Sequence, residues 1–453
     1  MNRFECRRAP RLSPMGVAVA AALALSPGLA FAQQDADEDE DAPQANEQVI
    51  ELGKVTVTAD KRVENINEVP SAISVIDSAR IEQLNATQLT DYANFVPGLH
   101  LTSGGVPGQT SVTLRGIAVL SSGATVGTYI DDVPVGSSGI YQQASMLALD
   151  LLPYDIDRVE VLRGPQGTLY GAGSMGGLLK YVMREPDLRN SEYRIGTGFT
   201  SVQGGAQGAD ARFGANVPLV DGRIGLRVSY ARNEIPGYVD SAISGEQDIN
   251  DGVQDSARAT LLWQGEDTRL KLTAIRQSVD SDNNAMVSLE PGSHSPIGDL
   301  AHRLWVDEPF TKDIDFYAAT FDWSLGWADF TSATGYTDTT TRQRTDTTVQ
   351  YGEVANLLLG LPAAGSSFFD VDLEMTKFTQ EFRLTSRPGT FEWMLGAFYT
   401  HEEGTHEQHV GLLQLDGSAL PAPFDAIAGT LATLALPTEY TEKAVFANGS
   451  YRF

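Results

Sequence analysis

The sequence predicts a mainly β chain, a small α+β domain followed by antiparallel transmembrane β-barrel strands, and three observations carry that prediction. The chain opens as an exported protein: Arg3, Arg7, Arg8 and Arg11 precede an apolar run from Met15 to Ala30 that ends in Ala30-Phe31-Ala32, the order of a secretory signal and its cleavage site. No later run is long and apolar enough to span a bilayer as a helix, which takes about 20 residues. From about residue 190 apolar residues alternate with polar or small ones, as Ile224, Leu226, Val228 and Tyr230 do with Gly225, Arg227, Ser229 and Ala231. An exported chain of this kind enters a membrane only as strands closed into a barrel, because hydrocarbon tolerates no open backbone.

Each element follows in order. Residues 1–32 are the signal, and Cys6, the single cysteine of 453 residues, falls within it, which excludes a disulfide framework. The formal charge is −27 and becomes −30 once the signal's four Arg and one Glu are removed; such a chain repels nucleic acid. Residues 33–48 form a disordered acidic leader centred on Asp35 to Asp41, with too little apolar area to order itself. Within 49–60, Lys54, Val55, Thr56, Val57, Thr58 and Ala59 read as a β-branched strand with no partner in its own neighbourhood, a form suited to β-augmentation of another protein's sheet edge. The alternative is an edge strand of the domain that follows.

Between 61 and 188 the most specific stretch is Asp155 to Lys180, DIDRVEVLRGPQGTLYGAGSMGGLLK, an alternating strand running into a glycine-dense turn. It resembles, at Gly164, Pro165, Tyr170, Gly171, Gly176 and Gly177, the plug signature of TonB-dependent outer-membrane receptors. Further blocks stand in the family's order: the strand Val69 to Ile76, the helix end Val96-Pro97-Gly98, the strand Ser111 to Ile117, and Tyr129 to Pro134, where Asp132 replaces the family's glycine. The resemblance makes 61–188 a plug domain and 49–60 a TonB-box-like segment gripped by the TonB energy-coupling protein. It makes 189–453 a partial transmembrane β-barrel of about ten strands. It also implies that Arg115 and Arg163 on the plug meet Glu381 on the wall as a releasable latch.

Connection lengths support the barrel. Short connections are expected at 219–222, 264–267, 324–327 and 386–390, and long loops at about 233–255, 278–313, 340–372 and 402–440, the asymmetry of periplasmic turns and extracellular loops. Ten strands ~4.8 Å apart and tilted ~40° close at a radius of about 10 Å, whereas a unit of some 120 residues has a radius of gyration near 14 Å. Either the barrel is incomplete or the plug lies outside the lumen; an incomplete barrel is expected, against which stands the ending Tyr451-Arg452-Phe453, a pattern common to the last strand of outer-membrane barrels.

Two patterns are set aside. Gly171 to Gly176 matches G-x-G-x-x-G, yet a strand and not a helix follows it, so it is no dinucleotide site. His401, His406 and His409 are placed at the foot of a solvated loop, without metal-site spacing. No catalytic arrangement stands out, so neither an enzyme nor a resident cofactor or metal is expected. The resemblance implies an outer-membrane receptor, embedded in lipid, that binds a scarce small molecule such as a ferric siderophore or similar chelate and imports it with TonB energy. The alternatives are a surface barrel that binds or signals without transport, and an inactive truncated fragment.

Overall fold

A computed structural model of the protein describes residues 56–58, 60–69, 71–117, 123–290, 292–359 and 364–452. The expected signal and acidic leader, with Lys54, Val55 and Ala59, lie outside the described residues. Val55–Phe453 cohere as one compact unit.

The plug is built on a five-stranded sheet in the order β3 (Ala72–Asp77), β8 (Ile156–Arg163), β9 (Gly177–Met183), β6 (Val126–Ile130), β7 (Val133–Val135), with β6 and β9 parallel and the other pairs antiparallel. The central pair β8 and β9 is covered on both faces, which is why its sequence is nearly continuously apolar: Val159, Val161, Leu162, Leu178, Leu179 and Tyr181 are at most 1% exposed. Each such side chain contributes roughly 1.5–3 kcal/mol by leaving water. A hairpin of β4 (Leu99–Ser103) and β5 (Thr110–Leu114) packs beside the sheet. The helix Ser78–Gln83 starts where the Asp77 carboxylate accepts the Arg80 N–H at 2.7 Å, a side-chain cap for an otherwise unpaired donor.

Ten antiparallel strands form the wall in sequence order: β10 (Glu192–Ser201), β11 (Gln207–Val220), β12 (Ile224–Ile235), β14 (Gly252–Gln264), β15 (Thr268–Ser281), β17 (Phe310–Ser324), β18 (Ala328–Asp346), β19 (Ala364–Ser386), β20 (Phe391–Gln414) and β21 (Ala432–Tyr451). Two two-residue strands, β13 (Asp240–Ser241) and β16 (Ala301–His302), pair within the connections. The sheet is open, with β10 and β21 at its two edges. The short turns fall where expected, and the alternation sets the faces: on β12 Gly225, Arg227, Ser229 and Ala231 are buried toward the plug, while Ile224, Leu226, Val228 and Tyr230 are more exposed.

The long loops are shorter than expected. Much of 340–372 and 402–440 is strand, since β18 runs to Asp346, β19 begins at Ala364, β20 runs to Gln414 and β21 begins at Ala432. Polar, threonine-rich sequence conceals these extensions, because above the bilayer neither face has to be lipid-soluble. The 24 residues of β20 extend about 80 Å along the strand, far more than an apolar band ~25 Å tall requires.

Candidate functional site: the plug and wall interface

The TonB-box-like segment is not unpaired. Thr56 and Val57 form β1, which pairs antiparallel with β2 (Glu64–Asn65), so the partner that the sequence reading missed lies seven residues downstream. Val57 is fully buried beside Tyr129, Leu162, Tyr170 and Leu178. The buried Glu160 carboxylate accepts the Thr58 N–H at 3.0 Å and the Thr58 hydroxyl at 3.0 Å, and the Tyr170 hydroxyl donates to the Thr58 carbonyl at 3.1 Å. Signature and segment thus meet: the short helix Gly167–Tyr170 ends at Gly171, whose φ is +69°, and so presents Tyr170 to Thr58. Gly164 and Gly176 are joined by a backbone bond of 2.9 Å across the turn that contains Pro165.

Immediately after this segment, two cations leave the plug for the wall. Lys61 Nζ donates to Glu381 at 2.5 Å with both side chains buried, and Arg62 reaches Glu392 at 3.0 Å and the Trp393 carbonyl at 2.6 Å. Glu381 also accepts from Arg383 at 3.0 Å; Arg383 reaches back to Asp132 on the plug at 2.6 Å, and Asp132 takes Lys180 at 3.3 Å. Burial pushes the Lys61 ammonium down to about 8, with the Glu381 carboxylate offsetting part of that. Burial works to raise Asp132, but the Arg383 guanidinium and then Lys180 hold it well below the usual carboxylate range. The residue that departs from the family's glycine is therefore the acceptor that ties this network to the plug.

The expected latch needs correction in its partners. Among the described residues no ion pair joins Glu381 to Arg115 or Arg163; those two line a separate cavity with Ala72, Pro97 and Gly98. The β1–β2 hairpin folds the start of the plug back so that Lys61 occupies the place expected of the arginines. A signal was present in the sequence: Lys61-Arg62 directly follow the β-branched run, and Arg383 lies two residues from Glu381 on the same strand face.

A second anchor was not foreseen at all. Asp155 immediately precedes the signature strand and is itself buried; its carboxylate accepts from Arg227 at 2.9 Å and Arg258 at 2.6 Å, both inward-facing wall residues. Arg258 also donates to the Asp155 and Arg184 carbonyls, and Arg227 to Glu192.

Above it, Asp150 accepts the Leu89 N–H at 2.8 Å, and its carbonyl takes Gln254 at 3.3 Å and Gln277 at 2.7 Å from the wall. Burial pushes the Asp150 carboxyl up to about 7, with the Leu89 N–H pulling down, Asp91 adding to the rise and Lys312 opposing it. A carboxyl raised in the folded state binds more protons there than in the unfolded chain. Its stabilisation is complete at acid pH below the unfolded value and is lost as pH rises toward about 7. Asp150→Asn is expected to flatten that part of the slope of plug stability between pH 4 and 7; an unchanged slope in urea unfolding across that range would show that Asp150 does not titrate there.

The three histidines do not converge. His401 bonds Thr441 and His409 bonds Thr433 on one face of β20, while His406 points to the other, between Gln143 and Gln408. His409 lies with Asp372 and Glu407, ligand atoms within 4.8 Å of one another, but Arg342 already stands 3.6 Å from Asp372.

A buried α+β plug pinned by ion pairs against an antiparallel wall, apolar outside and polar inside, is the architecture of a plugged outer-membrane barrel. Residues 65–178 match the TonB-dependent Receptor Plug Domain family. The chain is similar to the vitamin B12 transporter BtuB of Vibrio vulnificus, 33% identical over 147 residues covering 32% of this chain and 22% of that one. It is similar to the pesticin receptor of Yersinia pestis, 27% identical over 215 residues covering 45% and 29%. The fold resembles the ferric citrate transporter FecA, TM-score 0.65 at 14% identity, covering 85% of this chain and 55% of that one. The aligned part is thus under a third of those curated relatives' length and just over half of that solved structure's. Residues 65–178 are thus a plug domain of the TonB-dependent receptor family, the rest of the chain shares the fold of the barrel wall in such receptors, and the place of the chain is the outer membrane of the Gram-negative type.

Proposed function

We propose that the chain acts in active uptake: a solute bound on the extracellular side is imported when TonB grips the segment Lys54 to Ala59 and pulls. The observation that carries this reading is the order of attachments. Thr56 to Thr58 rest on the plug through Glu160 and Tyr170, and the next charged residues, Lys61 and Arg62, are the ones held by wall carboxylates Glu381 and Glu392. Tension applied at residues 54–59 therefore strains the Thr58 contacts with Glu160 and Tyr170 first and the Lys61–Glu381 contact next, before it runs along the chain to β3. The latch proposed here is Lys61, Glu381, Arg383 and Asp132, and a buried pair of this kind acts as a register device more than as a source of net stability.

Deleting Gly53 to Ala59 is expected to abolish uptake of a radiolabelled chelate by whole cells while leaving its binding intact. Retained uptake rejects coupling through this segment, and retained binding without uptake in the parent chain supports a surface receptor that does not transport. Glu381→Gln keeps the shape and removes the charge, so it is expected to release the plug at lower force or denaturant and leave binding unchanged.

A further inference from the structure

The connections 236–251 and 282–309 form one packed body on the extracellular side. Their strands β13 and β16 pair, Val239, Ile249 and Leu304 bury one another, and the Asn283 amide donates to the Ile249 carbonyl at 2.8 Å. This body touches the plug between β4 and β5: the Ala285 N–H donates to the Gly104 carbonyl at 2.9 Å, and Gly105 comes so close that any side chain there would strike Ala285. How firmly an outer connection rests on the plug therefore depends on what holds Ala285 in place.

The neighbouring Asn284 is held by Glu308, sixteen residues above the turn that follows Ser324, about 40 Å up the wall at a tilt of ~40° and so above an apolar band of ~25 Å. The Glu308 side chain is 3% exposed. It accepts from the Asn284 amide and, at 2.7 Å, from the Asp346 N–H at the end of β18, and its own N–H donates to Asn283 at 2.7 Å. Asp346 in turn accepts the Trp305 N–H at 2.7 Å. One carboxyl thus ties both ends of the connection 282–309 to the wall, yet among the described residues no Lys or Arg pairs with it. The groups that face it are the Asp346 carboxylate and His302, whose Nε2 stands 3.9 Å away and whose Nδ1 lies 3.0 Å from the Ser288 hydroxyl. Arg303 is turned to Glu290 and Arg344 to Asp370, while Asp251 and Asp282 lie against each other. An ionised Glu308 is then a buried charge beside a second carboxylate, an arrangement that is costly without a cation.

We infer that Glu308 is a proton-operated clamp: protonated, it fastens the connection 282–309 to β18 and to the plug at Gly104, and ionised, it loosens both. Burial pushes its carboxyl up to about 7, with the Asp346 N–H pulling down, the Asp346 carboxylate adding to the rise and the Asn284 amide opposing it. The fastened clamp binds more protons than the released one. Its stabilisation is therefore complete below the ordinary value of 4.5 and is lost as pH rises through about 7. Burial lowers the His302 imidazole, with Asp346 opposing, so His302 is neutral where Glu308 titrates. The clamp bears on access from outside and is independent of coupling through residues 54–59.

The test is amide hydrogen exchange of the full chain in detergent, read by mass spectrometry at about pH 6 and about pH 8.5 and corrected for the intrinsic rate. Peptides covering 282–309 are expected to be about tenfold better protected at the lower pH, the ratio that titration of one such carboxyl between those values gives. Glu308→Gln is neutral at every pH and is expected to show protection that no longer varies. Asp346→Asn removes the neighbouring charge and is expected to move the midpoint to lower pH, while His302→Gln is expected to keep the pH dependence. All three are read in protein that retains the parent strand spectrum. Equal protection of the parent at both pH values, or a pH dependence that persists in Glu308→Gln, overturns the clamp. A dependence lost in His302→Gln and kept in Glu308→Gln overturns it in favour of the imidazole.

Discussion

Asp155→Ala is expected to undock the plug from the wall at a cost of about 3–5 kcal/mol, because it leaves two inward-facing arginines without their shared carboxylate. Asp155, Arg227 and Arg258 have side chains that are 2%, 3% and 5% exposed, so water cannot replace the lost partner. Arg227 keeps Glu192 and Arg258 keeps two backbone carbonyls, which holds the loss below that of two bare buried charges. Asp155→Asn, which keeps acceptor and shape, is expected to lose less. Asp157→Ala is the control: its side chain is 46% exposed and among the described residues pairs only with the neighbouring Arg158, and an exposed pair contributes about 0–1 kcal/mol. The measurement is protease susceptibility of the plug in detergent-folded protein, read against urea. Equal protection of Asp155→Ala and Asp157→Ala would remove this cluster from any role in docking.

The contrast between the two anchors shows what a sequence carries and what it hides. Strand periodicity made the plug sheet and the short turns legible, because alternation and turn residues are local properties. The family blocks pointed to Glu381 and to the segment at 54–59, since those are features of order along the chain. Pairing is not local: Arg115 and Arg163 stand in the expected motifs, yet Lys61 is the residue that reaches Glu381, because a hairpin of two two-residue strands turns the chain back around it. Asp155 was visible only as the first letter of a motif, and nothing in its neighbours marks Arg227 and Arg258, 72 and 103 residues away. The strand extensions of β18 to β21 were hidden for the opposite reason. Outside the bilayer neither face has to be lipid-soluble, so stretches such as Thr339 to Asp346 look like loop, although side chains such as Val371 in the extension of β19 still pack against Val106 and Leu147 of the plug.

Gly177→Ala is expected to prevent the plug from folding, and the reason lies in contact more than in flexibility. Gly177 pairs with Arg163 on β8 and with Val126 on β6, so it sits where three strands of the plug sheet meet. A Cβ there would lie 2.2 Å from the Leu162 carbonyl oxygen and 2.4 Å from a Leu114 methyl. The first of these is backbone in the centre of the sheet and cannot move aside without parting β8 from β9. Its φ of +149° adds backbone strain for any side chain, of order 1–3 kcal/mol, on top of roughly 1–3 kcal/mol for overpacking. Gly136 supplies the comparison, since its φ is +85° but nothing lies within 4 Å of a Cβ built there. Gly136→Ala therefore carries the conformational strain alone and is expected to leave a folded, protease-resistant plug. Similar losses in the two variants would mean that strain and not collision explains the glycine. A loss confined to Gly177→Ala fixes the role of this signature glycine as close packing between β8 and β9, the packing that places Glu160 against Thr58 and Arg163 away from the wall.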